Sequence, residues 1–319
     1  MEDFKVDIVY LWVDGSDENW LKKKIDYLKK AGKDFDIDSI SEYRYTNNDE
    51  LKYSLRSVEK FAPWINHIYI VTDNQIPSWL NTNCPKITVI DHTEIFNTDD
   101  LPVFNSMAIE ANLTKIPNLE EHFLFANDDM FFFRPVEKET FYKNGKAIYR
   151  FQHPIKKKKR RKLYGYNINY SYELVKQKTG KGLAFFNHHN IDGYTKTDYN
   201  NCINEFKNEF EKVSKMRFRD YDAIERTAVS HLAVVNKTGV FKRVHRHKFY
   251  HVFLRKLGFK ITFDSMYFGI HKKNIEQMLN LFKPYMFCIN DNNKASQERK
   301  LEIKNFLEKT YPEKSMFEK

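Results

Sequence analysis

Four apolar runs in this chain each stop on an aspartate, and that pattern restricts the fold more than any other feature. Val9-Tyr-Leu-Trp-Val13 ends on Asp14-Gly15, His67-Ile-Tyr-Ile-Val-Thr72 on Asp73, Ile87-Thr-Val-Ile90 on Asp91, and His122-Phe-Leu-Phe-Ala126 on Asn127-Asp128-Asp129. Runs that are apolar without alternation belong to strands covered on both faces, as in parallel sheets flanked by helices. Acids at their ends then line the carboxyl edge of the sheet, where open α/β folds hold ligands. Asp128 and Asp129 are the most telling. Two like charges side by side are costly unless a cation, a basic group or a proton relieves them.

The segments between these runs fit the same frame. A Lys-rich helix is expected from Glu18 to Lys30. A second opens at Asn48-Asp49-Glu50, where acids suit the positive end of the helix dipole. It carries Leu51, Leu55, Val58 and Phe61 at helical spacing and stops before Pro63. A third, Phe104–Lys115, leads through Pro117 into the run at 122–126. Strand, helix, strand, strand, helix, strand predicts an α/β, Rossmann-like sheet, mostly parallel, with flanking helices. Residues 1–139 are read as this core and 140–185 as a basic, Tyr-rich insertion or lid. Residues 186–319 are read as a helical carboxyl-terminal half completing the site, all in one compact unit.

At 319 residues and 41% hydrophobic, the chain can bury a sizeable core. No apolar stretch approaches the roughly 20 residues of a membrane span. The amino terminus lacks a basic-then-apolar leader, and Cys84, Cys202 and Cys288 are odd in number and far apart. These features predict a cytoplasmic protein without a disulfide framework or zinc ribbon. The net charge of +10 is concentrated in the acid-free run Lys156–Lys162. Such a run is a solvated loop, or a contact for a phosphate-bearing polymer or an anionic membrane, the last placing the chain peripherally at the inner face of the cell membrane. No helix-turn-helix, zinc-finger or RNA-recognition signature surrounds it, so nucleic acid is not the expected partner.

Several side chains could carry chemistry. Asp14-Gly15-Ser16-Asp17 sits where the first strand meets its loop, and Gly15 lets backbone N–H groups approach a ligand. The segment is neither a G-x-G-x-x-G nor a Walker loop. Arg44, Arg56, Arg134, Arg217 and Arg219 are candidate phosphate clamps, with Arg217 and Arg219 pointing the same way if their segment is extended. His188-His189 could supply a base of near-neutral pKa. Asn290-Asp291-Asn292-Asn293 closes the apolar run at 285–289 and repeats the strand-then-acid arrangement; its oxygens suit Mg²⁺ or Mn²⁺. His245, His247 and His251 are interleaved with Arg246 and Lys248 and read as a basic patch rather than a metal site.

These residues, in this order, resemble the Stealth family of sugar-phosphate transferases. That family includes bacterial capsular polysaccharide phosphotransferases and the catalytic part of the lysosomal-enzyme N-acetylglucosamine-1-phosphotransferase. Its first block resembles Asp7–Asp17, and its second runs from Tyr43 through Asn48–Trp64, Ile76–Trp79 and Leu101–Ser106 to Phe125–Met130. A third corresponds to His189–Arg219, and a fourth to Ile289–Asn292 with the tail Ser315–Glu318. The resemblance implies transfer of a hexose 1-phosphate, commonly of an N-acetylhexosamine, from a UDP-sugar donor to the hydroxyl of an oligosaccharide or polysaccharide acceptor. The product is a phosphodiester, with release of UMP, in capsule or cell-surface polysaccharide synthesis. It implies a magnesium or manganese site at Asp128, Asp129, Asn290 and Asp291. Asp14, Gly15, Ser16 and Asp17, with Arg44, Arg56 and Asn105, would hold the nucleotide. Arg217 and Arg219 would hold the phosphates, and His189 would be the general base, with Asp49 and Glu50 as rivals. The competing readings are a GT-A-like glycosyltransferase releasing UDP and a non-catalytic carbohydrate-binding module.

Overall fold

The computed structural model describes residues 4–32, 35, 40–155, 162–244, 249–258, 263–292 and 294–319. Lys156–Arg161 of the basic run, with His245, His247 and Asn293, lie outside the described residues. Four strands, β1 (Val6–Leu11), β2 (Ile68–Thr72), β3 (Ile87–Asp91) and β4 (His122–Asn127), match the four apolar runs of the sequence. The strands that follow are β5 (Met130–Phe132), β6 (Tyr142–Lys143), β7 (Lys146–Pro154) and β8 (Phe185–Asn187). The last are β9 (Asp192–Thr195), β10 (Val240–Arg243), β11 (Ser265–Gly269) and β12 (Met286–Asn290).

The main sheet has the order β3-β2-β1-β4-β9. Its first four strands are mutually parallel, and β9 closes the edge antiparallel to β4. The chain runs outward from β1 through β2 to β3, then returns to place β4 on the other side of β1. That reversal opens a crevice at the carboxyl ends of β1 and β4, the usual ligand position in open α/β sheets. All six residues of β1 are buried, as both-face coverage requires. The predicted fold class is what the chain adopts.

The second half is rich in helix but also adds strands: β12 matches the strand-then-acid run expected at 285–289, whereas β7 to β11 were not anticipated. β11 and β12 pair in parallel, and β12 pairs antiparallel with β5, which follows β4 after only Asp128 and Asp129. A separate apolar cluster of Phe131, Phe268, Phe287, Leu279, Phe282 and Leu307 packs the helices Ile275–Phe282 and Gln297–Thr310 against this small sheet. The helix Glu50–Phe61 joins the two sheets. Its Ser54 hydroxyl donates to the Met130 carbonyl at 2.5 Å, and its Ser57 hydroxyl accepts from the Phe132 amide at 3.0 Å. The carboxyl-terminal tail returns to the main core, where Phe317 is buried and the Asn81 amide donates to its carbonyl at 2.9 Å.

One predicted helix is shorter than expected. Phe104–Lys115 contains a helix only over Ser106–Glu110, followed by a 3-10 turn at Leu113–Lys115. The segment 198–213 is two helices, Lys196–Glu205 and Lys207–Ser214, broken at Phe206. A further helix spans Thr227–Val235. Residues 140–185, which show no sequence periodicity, contain the nine-residue β7 and the helix Leu163–Thr179. Among the described residues no helix is long and apolar enough to cross a membrane.

Candidate active site

A cavity of about 210 Å³ follows the carboxyl edge of the main sheet. It is lined by Leu11, Trp12 and Val13 after β1, Val71 of β2, His92 after β3, and Asn127, Asp128 and Asp129 after β4. Glu50, Asn290 and Asp291 also line it, as do Arg44, Tyr45, Phe104, Asn105, Ser106 and Arg219. A wider groove of about 560 Å³ shares Tyr43 and Asn290 with it and carries Lys162, Tyr267, Lys272 and Lys294.

The acidic end is assembled by strand pairing. Because Met130 faces Cys288 in the β5–β12 ladder, the ends of β4 and β12 meet at Asp129. The Ile289 amide donates to the Asp129 carbonyl at 3.0 Å, and Asn290 Nδ2 donates to Asp129 Oδ2 at 3.2 Å. Asp129 Oδ1 is buried with no hydrogen-bond partner. Burial first, and then the neighbouring Asp129 and Glu50, push the Asp128 carboxyl well above the ordinary range. Burial likewise raises Asp129 to about 6, against the hydrogen bonds from Asn290 and Cys288. Glu50 rises to about 7, chiefly by burial, with the Asp129 charge adding to it. Three carboxyls that resist ionising together, one with an orphaned oxygen, would be relieved by a positive charge, although among the described residues no three acid, His or Cys side chains are grouped to hold a metal ion by themselves.

The other acids expected along the sheet edge have structural tasks instead. Asp14 Oδ1 accepts from the Ser16 amide and hydroxyl, at 2.9 and 2.6 Å, and Asp14 Oδ2 accepts from Asn47 at 3.1 Å. Asp73 is paired with Lys23 at 2.7 Å. Asp91 caps a short helix through Thr93, with Glu94 returning to its amide, and accepts from the Asn74 amide at 2.6 Å. Asp17 caps the helix Glu18–Ala31 by accepting from the Trp20 amide at 2.7 Å. None of Asp14, Gly15, Ser16 or Asp17 lines the cavity. Gly15 is needed for a different close approach. A Cβ there would stand 2.5 Å from the Tyr45 carbonyl oxygen, to which the Gly15 amide donates. The motif therefore positions the cavity-lining Tyr45.

The arginines divide. Arg44 and Arg219 line the cavity; Arg219 donates to the Ser106 hydroxyl, and burial with Arg44 nearby lowers its pKa to about 10, so it stays cationic at neutral pH. Arg217 reaches the same segment but donates to the carbonyls of Asp99 and Leu101, at 2.7 and 3.0 Å, outside the cavity. Arg134 stacks on Tyr285 at 3.6 Å. Arg56 is committed to the tail, forking onto Glu318 with both contacts at 2.8 Å and donating to the Tyr311 carbonyl.

Asp49 begins the helix Glu50–Phe61 and pairs with Lys304 at 2.6 Å, away from the cavity that Glu50 faces. Asn105 caps the helix Ser106–Glu110 by accepting from the Met107 amide, and it lines the cavity. Asn290 is a strut: its amide holds Asp129 and its oxygen accepts from the Tyr267 hydroxyl at 3.2 Å. Asp291 is paired with Lys300 at 2.7 Å. His189 is not among the lining residues. It lies beside the rings of Tyr164 and Tyr267, and burial reinforced by Arg226 lowers its pKa to about 3, so the imidazole is neutral. Its neighbour His188 belongs to a buried network with Asp192, Arg226 and Glu110. The sequence reading missed Trp12, Tyr45, His92 and Phe104, all apolar or aromatic positions in or just beyond predicted elements.

Residues 4–32 match Stealth protein CR1, conserved region 1, and residues 44–149 match Stealth protein CR2, conserved region 2. The two matches leave residues 33–43 and everything after 149 outside them. The capsular polysaccharide phosphotransferase fcs1 of Haemophilus influenzae is 49% identical over 143 residues, covering 44% of this chain and 39% of that protein. The capsular polysaccharide phosphotransferase LcbA of Neisseria meningitidis is 46% identical with the same coverage. The receptor polysaccharide phosphotransferase WefC of Streptococcus gordonii is 49% identical over 138 residues, or 43% of this chain and 41% of that one. The match thus spans about two fifths of each relative's length. A galactosyltransferase solved with donor and acceptor sugar analogues aligns over 96% of this chain and 95% of that one, with a TM-score of 0.43 at 10% identity, too distant to carry an argument. Within the Stealth regions lie Asp128, Asp129, Glu50, Arg44 and the β1 loop; Arg219, Asn290 and Asp291 complete the cavity from beyond them.

Proposed function

We propose that this chain transfers a hexose 1-phosphate, specifically an N-acetylhexosamine 1-phosphate, from a UDP-sugar to a glycan hydroxyl, releasing UMP, in capsular or cell-surface polysaccharide synthesis. The observation that carries the reading is the cavity itself, whose lining joins clustered carboxyls from the residues matching the Stealth regions with Arg44 and Arg219. The relatives' names, polysaccharide phosphotransferases, point to the same chemistry.

In the proposed reaction, the acceptor oxygen attacks the sugar-proximal phosphorus, and the bond from that phosphorus to the bridging oxygen breaks. UMP leaves with the bridging oxygen, the sugar's anomeric bond stays intact, and the hydroxyl proton passes to a base. Arg44 and Arg219 face the diphosphate as fixed cations where charge develops. Glu50 is the favoured base, because it lines the cavity and its carboxyl titrates near neutrality. His189, neutral and packed beside Tyr164 and Tyr267, lines neither the cavity nor the groove and is not the proposed base. Mg²⁺ or Mn²⁺ fits beside Asp128 and Asp129, with Asp291 adjacent, and when bound it supplies neutralisation of the diphosphate. Because no three acid, His or Cys side chains among the described residues are grouped to hold a metal ion, the proposed cation would need phosphate and water for the rest of its shell. The acceptor enters along the wider Lys-bearing groove.

Product analysis with UDP-N-acetylglucosamine, Mg²⁺ and an oligosaccharide acceptor tests the reading. UMP formed only with acceptor supports it, whereas UDP as the product means glycosyl transfer and refutes it. The proposal extends to a peripheral contact of Lys156–Lys162 with an anionic membrane. Sedimentation with anionic liposomes that is unchanged when the run is neutralised refutes that part.

A further inference from the structure

His92 is the one cavity-lining imidazole among the described residues, and neither the carboxylate cluster nor the arginines account for it. It follows β3 directly, and its side chain is only 4% exposed. Its Nδ1 is buried without a hydrogen-bond partner. A buried polar nitrogen left unpaired costs free energy that a ligand can recover. Its acidic neighbours are otherwise engaged: Asp73 with Lys23, Asp91 with Thr93 and Asn74, and Glu94 with the Asp91 amide. Burial lowers the His92 pKa to about 4, so the ring is neutral at working pH and offers one donor and one acceptor.

Its position in the sheet gives the distance argument. The strand order β3-β2-β1-β4 separates His92 from Asp128 by three strand spacings, or about 14 Å at roughly 4.8 Å each. That is the reach of an extended nucleoside diphosphate. With the phosphates at the Asp128–Asp129 end, the base lies over the ends of β1 to β3, where the apolar lining residues Trp12 and Val71 stand.

We propose that His92 reads the nucleobase of the donor, hydrogen-bonding the N3–H and carbonyl edge of a uracil ring seated against Val71 and Trp12. The assignment rests on the sugar-phosphate transfer reading and adds its specificity residue. Either tautomer of a neutral imidazole finds a complement on that edge.

Calorimetric titration of the full chain with UDP, 3-methyluridine diphosphate and inorganic pyrophosphate, each with Mg²⁺, tests it. In wild type, UDP binds more tightly than 3-methyluridine diphosphate, whose N3 cannot donate. In His92→Phe, which keeps the ring volume, UDP weakens about tenfold or more while pyrophosphate binding is unchanged, and the two uridine ligands become equivalent. His92→Gln retains a donor and an acceptor and recovers part of the UDP affinity, which covers the case of a poorly folded Phe variant. Unchanged UDP affinity in both variants overturns the role of His92 alone. Parallel loss of pyrophosphate binding overturns it too, because the residue then acts through the fold. Wild-type affinity for UDP no greater than for pyrophosphate overturns the inference and the UDP-sugar reading together.

Discussion

Glu50→Gln separates the catalytic and structural consequences of the buried carboxyl cluster. The Glu50 side chain is 8% exposed, and its pKa rises from an ordinary 4.5 to about 7. The unfolded chain therefore gives up this proton first, and the folded chain loses stability as pH rises from about 4.5 to about 7. At roughly 1.4 kcal/mol per pH decade, the ionised carboxylate costs the folded state about 3 kcal/mol at pH 8. Glutamine removes that cost but gives up one of the two hydrogen bonds from Asn48, about 1 kcal/mol. The net gain at pH 8 is about 2 kcal/mol. For a chain of 319 residues, with an unfolding entropy of about 0.7 kcal/mol/K, this raises Tm by about 3 °C. Near pH 5 the two terms cancel, and the variant and wild type melt together. Thermal unfolding by circular dichroism in EDTA at both pH values is the assay, with turnover of the UDP-sugar measured alongside. A Tm difference independent of pH, or a variant less stable than wild type at pH 8, refutes the account of the cluster. A variant of full activity refutes Glu50 as the base.

Three further outcomes are expected. Asp129→Asn abolishes turnover without unfolding the chain, and the rise in Tm produced by Mg²⁺ in wild type disappears; a Mg²⁺ effect of wild-type size contradicts the site. Arg56→Ala leaves Glu318, 6% exposed, without its partner and lowers stability by about 3 kcal/mol in urea unfolding. Because Arg56 holds the Glu318 carboxyl below its ordinary 4.5, that difference is present above this pH and shrinks as pH falls below it. Gly15→Ala sets a Cβ 2.5 Å from the Tyr45 oxygen, which costs about 2 kcal/mol and raises KM for the donor by displacing Tyr45; an unchanged KM counts against that route.

How much could be seen in advance depended on whether the signal was local. β1 to β4 were legible because strands buried on both faces need unbroken apolar runs, and each run here is bounded by polar residues. The helix Leu163–Thr179 was not, because part of its buried face is polar: Asn167 donates to the Asp220 carbonyl and Ser171 accepts from the Glu225 amide. Those partners lie in a loop more than fifty positions away, so no apolar stripe marks the helix. β5 has only three residues, too few to show any period.

The same distinction explains the candidate site. A strand ending on an acid marks the sheet edge but does not say whether that acid faces a ligand or caps the next turn. Asp14, Asp73 and Asp91 find nearby backbone, hydroxyl or amine partners, and those partners satisfy them. Asp128 and Asp129 differ because the chain continues at once into β5, leaving no room for a capping helix. β12 then delivers Asn290 from 161 positions away. Arg56 is the converse case: its phosphate-like partner is the Glu318 carboxylate, 262 positions along the chain. The adjacent acids were readable as a site because their repulsion is a local property. What relieves or exploits that repulsion arrives from the far end of the sequence, through strand pairing that the runs themselves do not encode.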